Sequence, residues 1–360
     1  MLITEISQSI RRFSNTMARK QKSFQRTALK ILCTVEAIVL VLMIGATVLF
    51  QNVMGQINYV DLDTALKLTQ EELDAYLATE DGALTDVLSS VLGDVEFEDH
   101  STQIGGPKSN LINIMLIGQD RRPGEARTRS DSMILCTFNK KTGQMTMTSF
   151  LRDLYVQIPG YQDNRLNVAY AAGGMPLLNE TLKHNFGIHV DGNIEVDFTQ
   201  FAQLVDLMGG VSMELRQDEA NSINQSTGSA LSAGKQWLTG SQALAYARIR
   251  NLDADGDFSR TNRQRKVVTA LLDSYKSADL STIYSVIMDA LPMITTDMSK
   301  TDMLGYAVDV FPKLANMELV SQRIPADGTY EQRMIREMAV LVADMDASRQ
   351  ILEETLLGAS

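Results

Sequence analysis

Leu111–Gly118, LINIMLIG, is a continuous apolar run of strand length. A strand apolar on both faces reads as one buried on both faces of a sheet, as in α/β folds. Ser132–Asn139 reads as a second strand, Lys140–Gly143 as a turn and Gln144–Phe150 as a third strand, so the last two form a hairpin. Asp163–Ala172 opens a helix, Gly173–Gly174 interrupts it, and Met175–Phe186 continues as another. In Asp197–Met208, Phe198, Phe201, Leu204, Val205 and Met208 share one stripe, which predicts a half-buried helix ended by Gly209–Gly210. Val211–Leu215 reads as a strand, Asp218–Gly228 as a helix and loop, and Leu238–Arg250 and Arg260–Ser277 as helices, with Ser259 capping the last. Leu280–Val310 and Leu319–Leu357 read as further helices, with a strand near Glu318–Gln322 and a turn at Pro325–Gly328. The expected fold class is α/β: a single α/β/α-type domain with a mixed central sheet flanked by helices.

The strand ends are charged. Past Gly118 come Asp120, Arg121, Arg122, Arg127, Arg129 and Asp131, and past Phe150 come Arg152 and Asp153. Open α/β sheets place ligands beyond the carboxyl ends of buried strands. Arginine is concentrated again in Ser241–Lys266, with Arg248, Arg250, Arg260, Arg263 and Arg265 set among Asp253, Asp255 and Asp257, in a chain of net charge -11. A planar fork of donors suits phosphate or carboxylate oxygens. A charge run alone also describes a solvated, salt-bridged helix surface. On the helix from Arg260, however, Arg260, Arg263 and Gln264 share a face that Val267, Val268, Leu271 and Leu272 continue, so the stripe begins polar and ends apolar. That arrangement aims side chains into a cleft from an amino-terminal turn, which itself attracts anions.

Several chemistries lack support. Asp253–Asp257 resembles the start of a calcium loop, but Phe258 and Gln264 stand where that loop needs Gly and Glu. There is no CxxC, P-loop or GxGxxG, and the acidic body opposes a nucleic-acid partner. Arg121 and Arg265 read as solvent-facing. Arg165, Asn167 and Tyr170 either line the site or fix a helix start.

The amino terminus sets the compartment. Residues 1–30 carry Arg11, Arg12, Arg19, Lys20, Lys22, Arg26 and Lys30 against Glu5, and Ile31–Phe50 follows as an apolar segment about long enough to span a bilayer. Glu36 costs on the order of 3 kcal/mol at mid-membrane, and twelve Leu, Ile, Val or Phe residues at roughly 0.3–0.6 kcal/mol each outweigh it. Positive flanking charge keeps the amino terminus cytoplasmic and sends the rest outside the cell. The expected organisation is a basic tail (1–30), a transmembrane helix (31–50), an acidic stalk (51–108), a catalytic core (109–277) and a helical carboxyl-terminal part (278–360).

NIMLIGQDRR, RSDSM, FLRDLYVQIPG, RLNVAYAAGG, VDFTQFAQLVDLMGGV, LTGSQALAYARIR and DGDFSRTNRQ occur in that order over about Asn110–Leu272. Together they resemble the LytR-CpsA-Psr family of cell-wall phosphotransferases. The resemblance implies a membrane-anchored extracellular enzyme. It would move a glycopolymer, such as a teichoic acid or capsular polysaccharide, from undecaprenyl pyrophosphate to peptidoglycan with Mg²⁺, holding the polyprenyl tail in an apolar pocket. It implies that Asp120 and Asp131 hold the metal. It places Arg122, Arg129, Arg152, Arg248, Arg250, Arg260 and Arg263 around the pyrophosphate with Gln264 as a polar neighbour, and Asp153 and Asp257 as acids of the same motifs. Leu151 stands where many members have Pro. The alternative on sequence alone is a non-enzymatic binder of polyprenyl pyrophosphate or wall polyanions; a transcription regulator is opposed by the acidic body and by the expected outward orientation.

Overall fold

In the computed structural model, Leu111–Gln119 sits at the centre of a seven-stranded sheet. The structure describes residues 58–59, 103–120, 130–253, 256–276, 278 and 280–357, all within one unit, residues 57–360. In chain order the first elements are β1 (Asn58–Tyr59), β2 (Leu111–Gln119), β3 (Ser130–Asn139), β4 (Gln144–Phe150), β5 (Tyr155–Val156), β6 (Asn164–Arg165) and α1 (Leu166–Phe186). Then come β7 (Gly192–Asp197), α2 (Phe198–Leu207), β8 (Val211–Leu215), α3 (Gln217–Thr227), β9 (Gly234–Leu238), α4 (Gly240–Ala247) and α5 (Asp257–Tyr275). The chain continues through α6 (Leu280–Ala290), β10 (Thr295–Thr296), α7 (Lys300–Val310), β11 (Glu318–Ile324), β12 (Tyr330–Ile335), β13 (Met338–Ala343) and α8 (Met345–Leu357).

The sheet order is β1-β10-β7-β2-β3-β4-β11. β3 runs antiparallel to β2 and β4, while β7 is parallel to β2 and β11 is parallel to β4. The carboxyl ends of β2, β4, β7 and β11 therefore share one edge. This is the expected mixed sheet, and the apolar run of β2 lies in its middle because both faces are covered. Met115, Ile117, Met133, Leu135 and Phe150 pack with Leu178 and Leu182 of α1 and with Leu352 and Leu356 of α8. On the other face, Ile112 and Phe138 pack with Tyr306 and Val310 of α7. Each such side chain contributes about 1.5–3 kcal/mol on full burial.

Local signals set several boundaries. Gly174 is non-helical (φ 64°, ψ −151°) and Pro176 follows, so α1 is kinked where the sequence places an interruption. Pro removes a helical N–H, and Gly tolerates positive φ. α2 begins in a capping box, with Gln200 N donating to Asp197 Oδ1 and Asp197 N to Gln200 Oε1, each at 2.8 Å.

Other expectations are corrected. The helix expected from Leu238 starts at Gly240, because Leu238 pairs with Val211 in the β8–β9 hairpin and Thr239 is the cap. α5 starts at Asp257 behind Gly256 (φ 49°), so Ser259 lies inside its first turn rather than capping it. The helix expected from Asp163 starts at Leu166, since Asn164–Arg165 pairs with Tyr155–Val156. Leu280–Val310 is two helices separated by β10. Within Leu319–Leu357, read as helical, β11 extends to Ile324 against β4, β12–β13 is an antiparallel hairpin, and only Met345–Leu357 is helix. Pairing of β11 with the distant β4, and of β12 with its neighbour β13, overrides local helical periodicity there. Residues 1–30, expected to form a cytoplasmic tail, Ile31–Phe50, expected to span the membrane, and most of the expected stalk lie outside the described residues. Among the described residues, no helix is long and apolar enough to cross a membrane.

Candidate active site

The shared sheet edge brings the charged strand ends together. β2 leads to Asp120, β3 starts beside it with Ser130 and Asp131, β4 leads to Arg152–Asp153, and β7 leads through Asp197 to Phe198. α4 ends at its C-cap residue, Arg248, and the chain passes Arg250 before α5 supplies Asp257, Arg260 and Gln264. Asp120, Asp131, Phe198, Arg248, Arg250, Arg260 and Gln264 line one hollow of about 370 Å³. Of the acids assigned by sequence, Asp120 and Asp131 are the two that line it.

Arg152 stands among three of the aspartates. Its Nη1 donates to Asp131 Oδ1 at 2.8 Å, its Nε donates to Asp257 Oδ2 at 3.2 Å, and Asp153 Oδ2 lies 3.4 Å from Nε. Burial works against its charge, but Asp153, Asp257 and Asp131 outweigh burial and raise its pKa. Asp257 also accepts from Arg260 Nη2 at 3.2 Å and pairs with Arg250 Nε at 3.6 Å. The carboxyl-terminal strands fix this corner: Leu151 N donates to Ile324 O at 3.0 Å and Leu341 N to Asp153 O at 2.9 Å.

Arg260 is only 3 % exposed, and its Nε and Nη1 have no hydrogen-bond partner among the described residues. Burial pushes its pKa down to about 10, against the attraction of Asp257. An unmet buried donor costs about 1–3 kcal/mol. A guanidinium left in this state on the wall of a hollow has donors free for an anion's oxygens.

Two further cavities adjoin the hollow. An apolar pocket of about 220 Å³, lined by Leu116, Ile134, Val196, Phe201 and Val268, shares Phe198, Arg248 and Gln264 with it. An open cleft of about 950 Å³ along α2, α3 and α4 carries Thr199, Gln203, Ser226, Ser241 and Asn251, and shares Asp120, Phe198, Arg248 and Arg250. Ser132 Oγ donates to Gln264 Oε1 at 3.1 Å, holding that amide at the junction with the apolar pocket. Arg248 lies over the Phe198 ring, 4.7 Å from its centroid. The arrangement places an anion hollow between an apolar pocket and a hydroxyl-lined groove.

Asp120 and Asp131 fit a hard divalent cation. Asp120 is half exposed and lies 3.8 Å from Arg248 Nη2, and Asp131 has one oxygen on Arg152. Mg²⁺ takes one or two carboxylates and completes its shell with water and phosphate oxygens. No group of three or more His, Cys, Asp or Glu able to hold a metal occurs among the described residues, so such an ion would depend on its ligand's oxygens.

Not every residue assigned by sequence joins the hollow. Arg263 is buried beneath it: Nε donates to Glu219 Oε1 at 2.9 Å, Nη1 to Ile249 O at 3.3 Å, and Nη2 to Asp253. It thus holds the carbonyl lying between Arg248 and Arg250. Arg122 and Arg129 lie outside the described residues. Arg165 Nη1 is 3.8 Å from Asp153, Asn167 N donates to Arg152 O, and Tyr170 OH accepts from Gln119 and donates to Glu195, deep in the core. Arg265, expected in solvent, is 5 % exposed, because one step along α5 from Gln264 turns it toward β11. Phe198 was legible only as a core residue. Its place directly after the Asp197 cap, at a strand end, was the available signal.

The sequence profile described as the LytR_cpsA_psr family matches residues 84–355. Over 173 residues the chain is 37% identical to the regulatory protein MsrR of Staphylococcus aureus, covering 47% of this chain and 51% of that protein. The chain thus spans about half the length of the first relatives it matches. It is 31% identical over 254 residues to the polyisoprenyl-teichoic acid–peptidoglycan teichoic acid transferase TagU of Bacillus anthracis, covering 68% of this chain and 80% of that protein. Its fold matches TagT of B. subtilis solved with bound octaprenyl pyrophosphate lipid, at TM-score 0.54 and 25% identity, covering 71% of this chain and 94% of that one.

Proposed function

The chain belongs to the LytR_cpsA_psr family, and on that premise we propose that it is a membrane-anchored phosphotransferase working outside the cytoplasm. It moves a glycopolymer of teichoic acid or capsular type from undecaprenyl pyrophosphate to peptidoglycan. The observation that carries the reading is Arg260, buried with two unpartnered donors on the wall of a hollow that adjoins an apolar pocket. A pyrophosphate with a polyprenyl tail satisfies both at once. The name of TagU and the lipid bound to TagT support the same substrate class.

In the proposed reaction an acceptor hydroxyl attacks the phosphorus that bears the glycan. An oxygen–phosphorus bond forms, the bridging bond of the pyrophosphate breaks, and polyprenyl monophosphate leaves with its electron pair and takes up the proton that the acceptor hydroxyl gives up. Arg248, Arg250 and Arg260 face the phosphoryl oxygens and stabilise charge where it develops. Arg152 acts from behind them, holding Asp131 and Asp257 in place. Asp257 aligns Arg152, Arg250 and Arg260, and Asp153 anchors Arg152. A Mg²⁺ ion, held by Asp120 and Asp131, would neutralise phosphate oxygens as a Lewis acid. The apolar pocket takes the first prenyl units, and the hydroxyl-lined cleft takes saccharide. Ile31–Phe50 anchors the chain in the membrane with its amino terminus in the cytoplasm.

The test uses full-length protein in detergent with a prenyl-pyrophosphate-linked saccharide, a peptidoglycan fragment and Mg²⁺, following prenyl phosphate release. Arg260→Ala and Asp120→Ala are expected to lower turnover about 10²–10³-fold, the scale for removing one preorganised charge-stabilising group. Tight donor binding without turnover, unchanged by Asp120→Ala, would replace the enzyme with a binder of polyprenyl pyrophosphate or wall polyanions.

A further inference from the structure

α5 presents adjacent residues to opposite sides of β4. Gln264 meets Ser132 on β3, whereas Arg265 Nε donates to Ser321 Oγ on β11 at 2.6 Å. Arg265 is 5 % exposed and its Nη1 has no partner among the described residues. Arg323 lies two residues beyond Ser321 on the same face of β11. Its guanidinium lies 4.5 Å from the centroid of the Phe258 ring, which stacks on Tyr330 at 5.1 Å. Arg323 Nε also has no partner, while its Nη2 reaches Asp327. Ser149, paired with Arg323 in the β4–β11 register, is 1 % exposed, and its Oγ is unpartnered.

Three unpartnered buried polar atoms therefore come from one patch of the sheet face, two of them on guanidinium groups. The carboxylate paired with this group is that of Asp327, whose side chain is 87 % exposed. A buried cation without a counter-charge is costly, and water can meet its donors but not its charge. Burial, and then the neighbouring Arg323, push the Arg265 pKa down to about 10. Two planar forks beside two hydroxyls suit a tetrahedral oxyanion, each fork offering paired donors.

We propose that Arg265 and Arg323, with Ser149 and Ser321, form a second oxyanion site that binds a phosphate group on the flank of α5 away from Gln264. Asp327, on the exposed turn, stands at its mouth and gives up Arg323 when the anion enters. The site does not rest on the transfer reaction proposed above, since neither arginine lines the first hollow.

Full-length protein in detergent is titrated with inorganic phosphate and, separately, with the diester glycerophosphoglycerol, reading the thermal midpoint. Wild type is expected to show saturable stabilisation, and Arg152→Ala, which disturbs the first hollow, is expected to keep the component that depends on Arg265 and Arg323. Arg265→Met and Arg323→Met are expected to lose it, with at least a tenfold fall in apparent phosphate affinity. Without anion, Arg265→Met is expected to melt above wild type, because an uncompensated buried charge is gone. If Arg265→Met does not fold, Arg323→Met decides. A response to both ligands makes this a subsite for a phosphodiester polymer, and a response to inorganic phosphate alone makes it a free-anion site. Equal stabilisation of wild type and the Met variants, or none in Arg152→Ala, would overturn the proposal.

Discussion

Arg152 and Arg260 meet on a single oxygen: each donates to Asp257 Oδ2, and each at 3.2 Å. Arg250 pairs with the other oxygen, Oδ1, at 3.6 Å. One carboxylate thus sets the spacing of three guanidinium groups that would otherwise repel one another. It does so from behind the hollow, leaving Asp120 and Asp131 as the acids on the lining.

Asp257→Asn keeps the shape of this centre and removes its charge. Turnover in the prenyl phosphate assay is expected to fall about 10²-fold or more, because the donors lose their fixed aim. The circular dichroism spectrum should stay that of wild type. Unchanged turnover would remove Asp257 from the positioning role.

Arg263 and Glu219 are both buried and joined at 2.9 Å, with side chains 4% and 6% exposed. Arg263→Met removes the 2.9 Å partner of the buried Glu219, leaving Arg216 Nε at 3.8 Å, and is expected to cost about 3 kcal/mol in denaturant unfolding. Arg263→Met/Glu219→Leu should recover most of that loss. Arg248, which is half exposed, makes the contrast: Arg248→Met should change activity with little effect on stability.

Ala247 lines the apolar pocket beside Leu244 and Val268. Ala247→Phe puts a ring into a space of about 220 Å³. Competition assays are expected to show at least tenfold weaker binding of long prenyl pyrophosphates, with a smaller loss for inorganic pyrophosphate. Equal losses for both would mean that the pocket does not hold the tail.

Hydrogen bonds from Arg216, then Arg263, lower the Asp253 pKa from the ordinary 3.8 to about 2. Between those values the unfolded chain binds more protons than the native one, so stability rises with pH there. The contribution is complete above about pH 4 and is lost as pH falls through about 2. Asp253→Asn should flatten that part of an acid-unfolding curve while leaving neighbouring carboxylate effects in place.

The sequence by itself determined what neighbouring residues can decide. The apolar run of β2, the Lys140–Gly143 turn, the apolar stripe of α2 and the break at Gly174 were all legible, because each depends on periodicity or backbone freedom within a few residues. The arginine-rich segments could also be recognised as a site, since guanidinium groups gathered in an acidic chain need a reason. Tertiary structure alone decided which of them meet. Arg152 and Asp257 are 105 residues apart, and nothing local distinguishes Arg260, which faces the hollow, from Arg263, which supports it from below. The same holds for the carboxyl-terminal strands: Glu318–Ile324 becomes a strand by pairing with β4, and Met338–Ala343 by folding back on β12. The first pairing is set by burial between segments far apart in the chain, which no property of the individual segment encodes; the second is a tight hairpin whose turn, Arg336–Glu337, carries none of the glycine or asparagine signals that would have marked it.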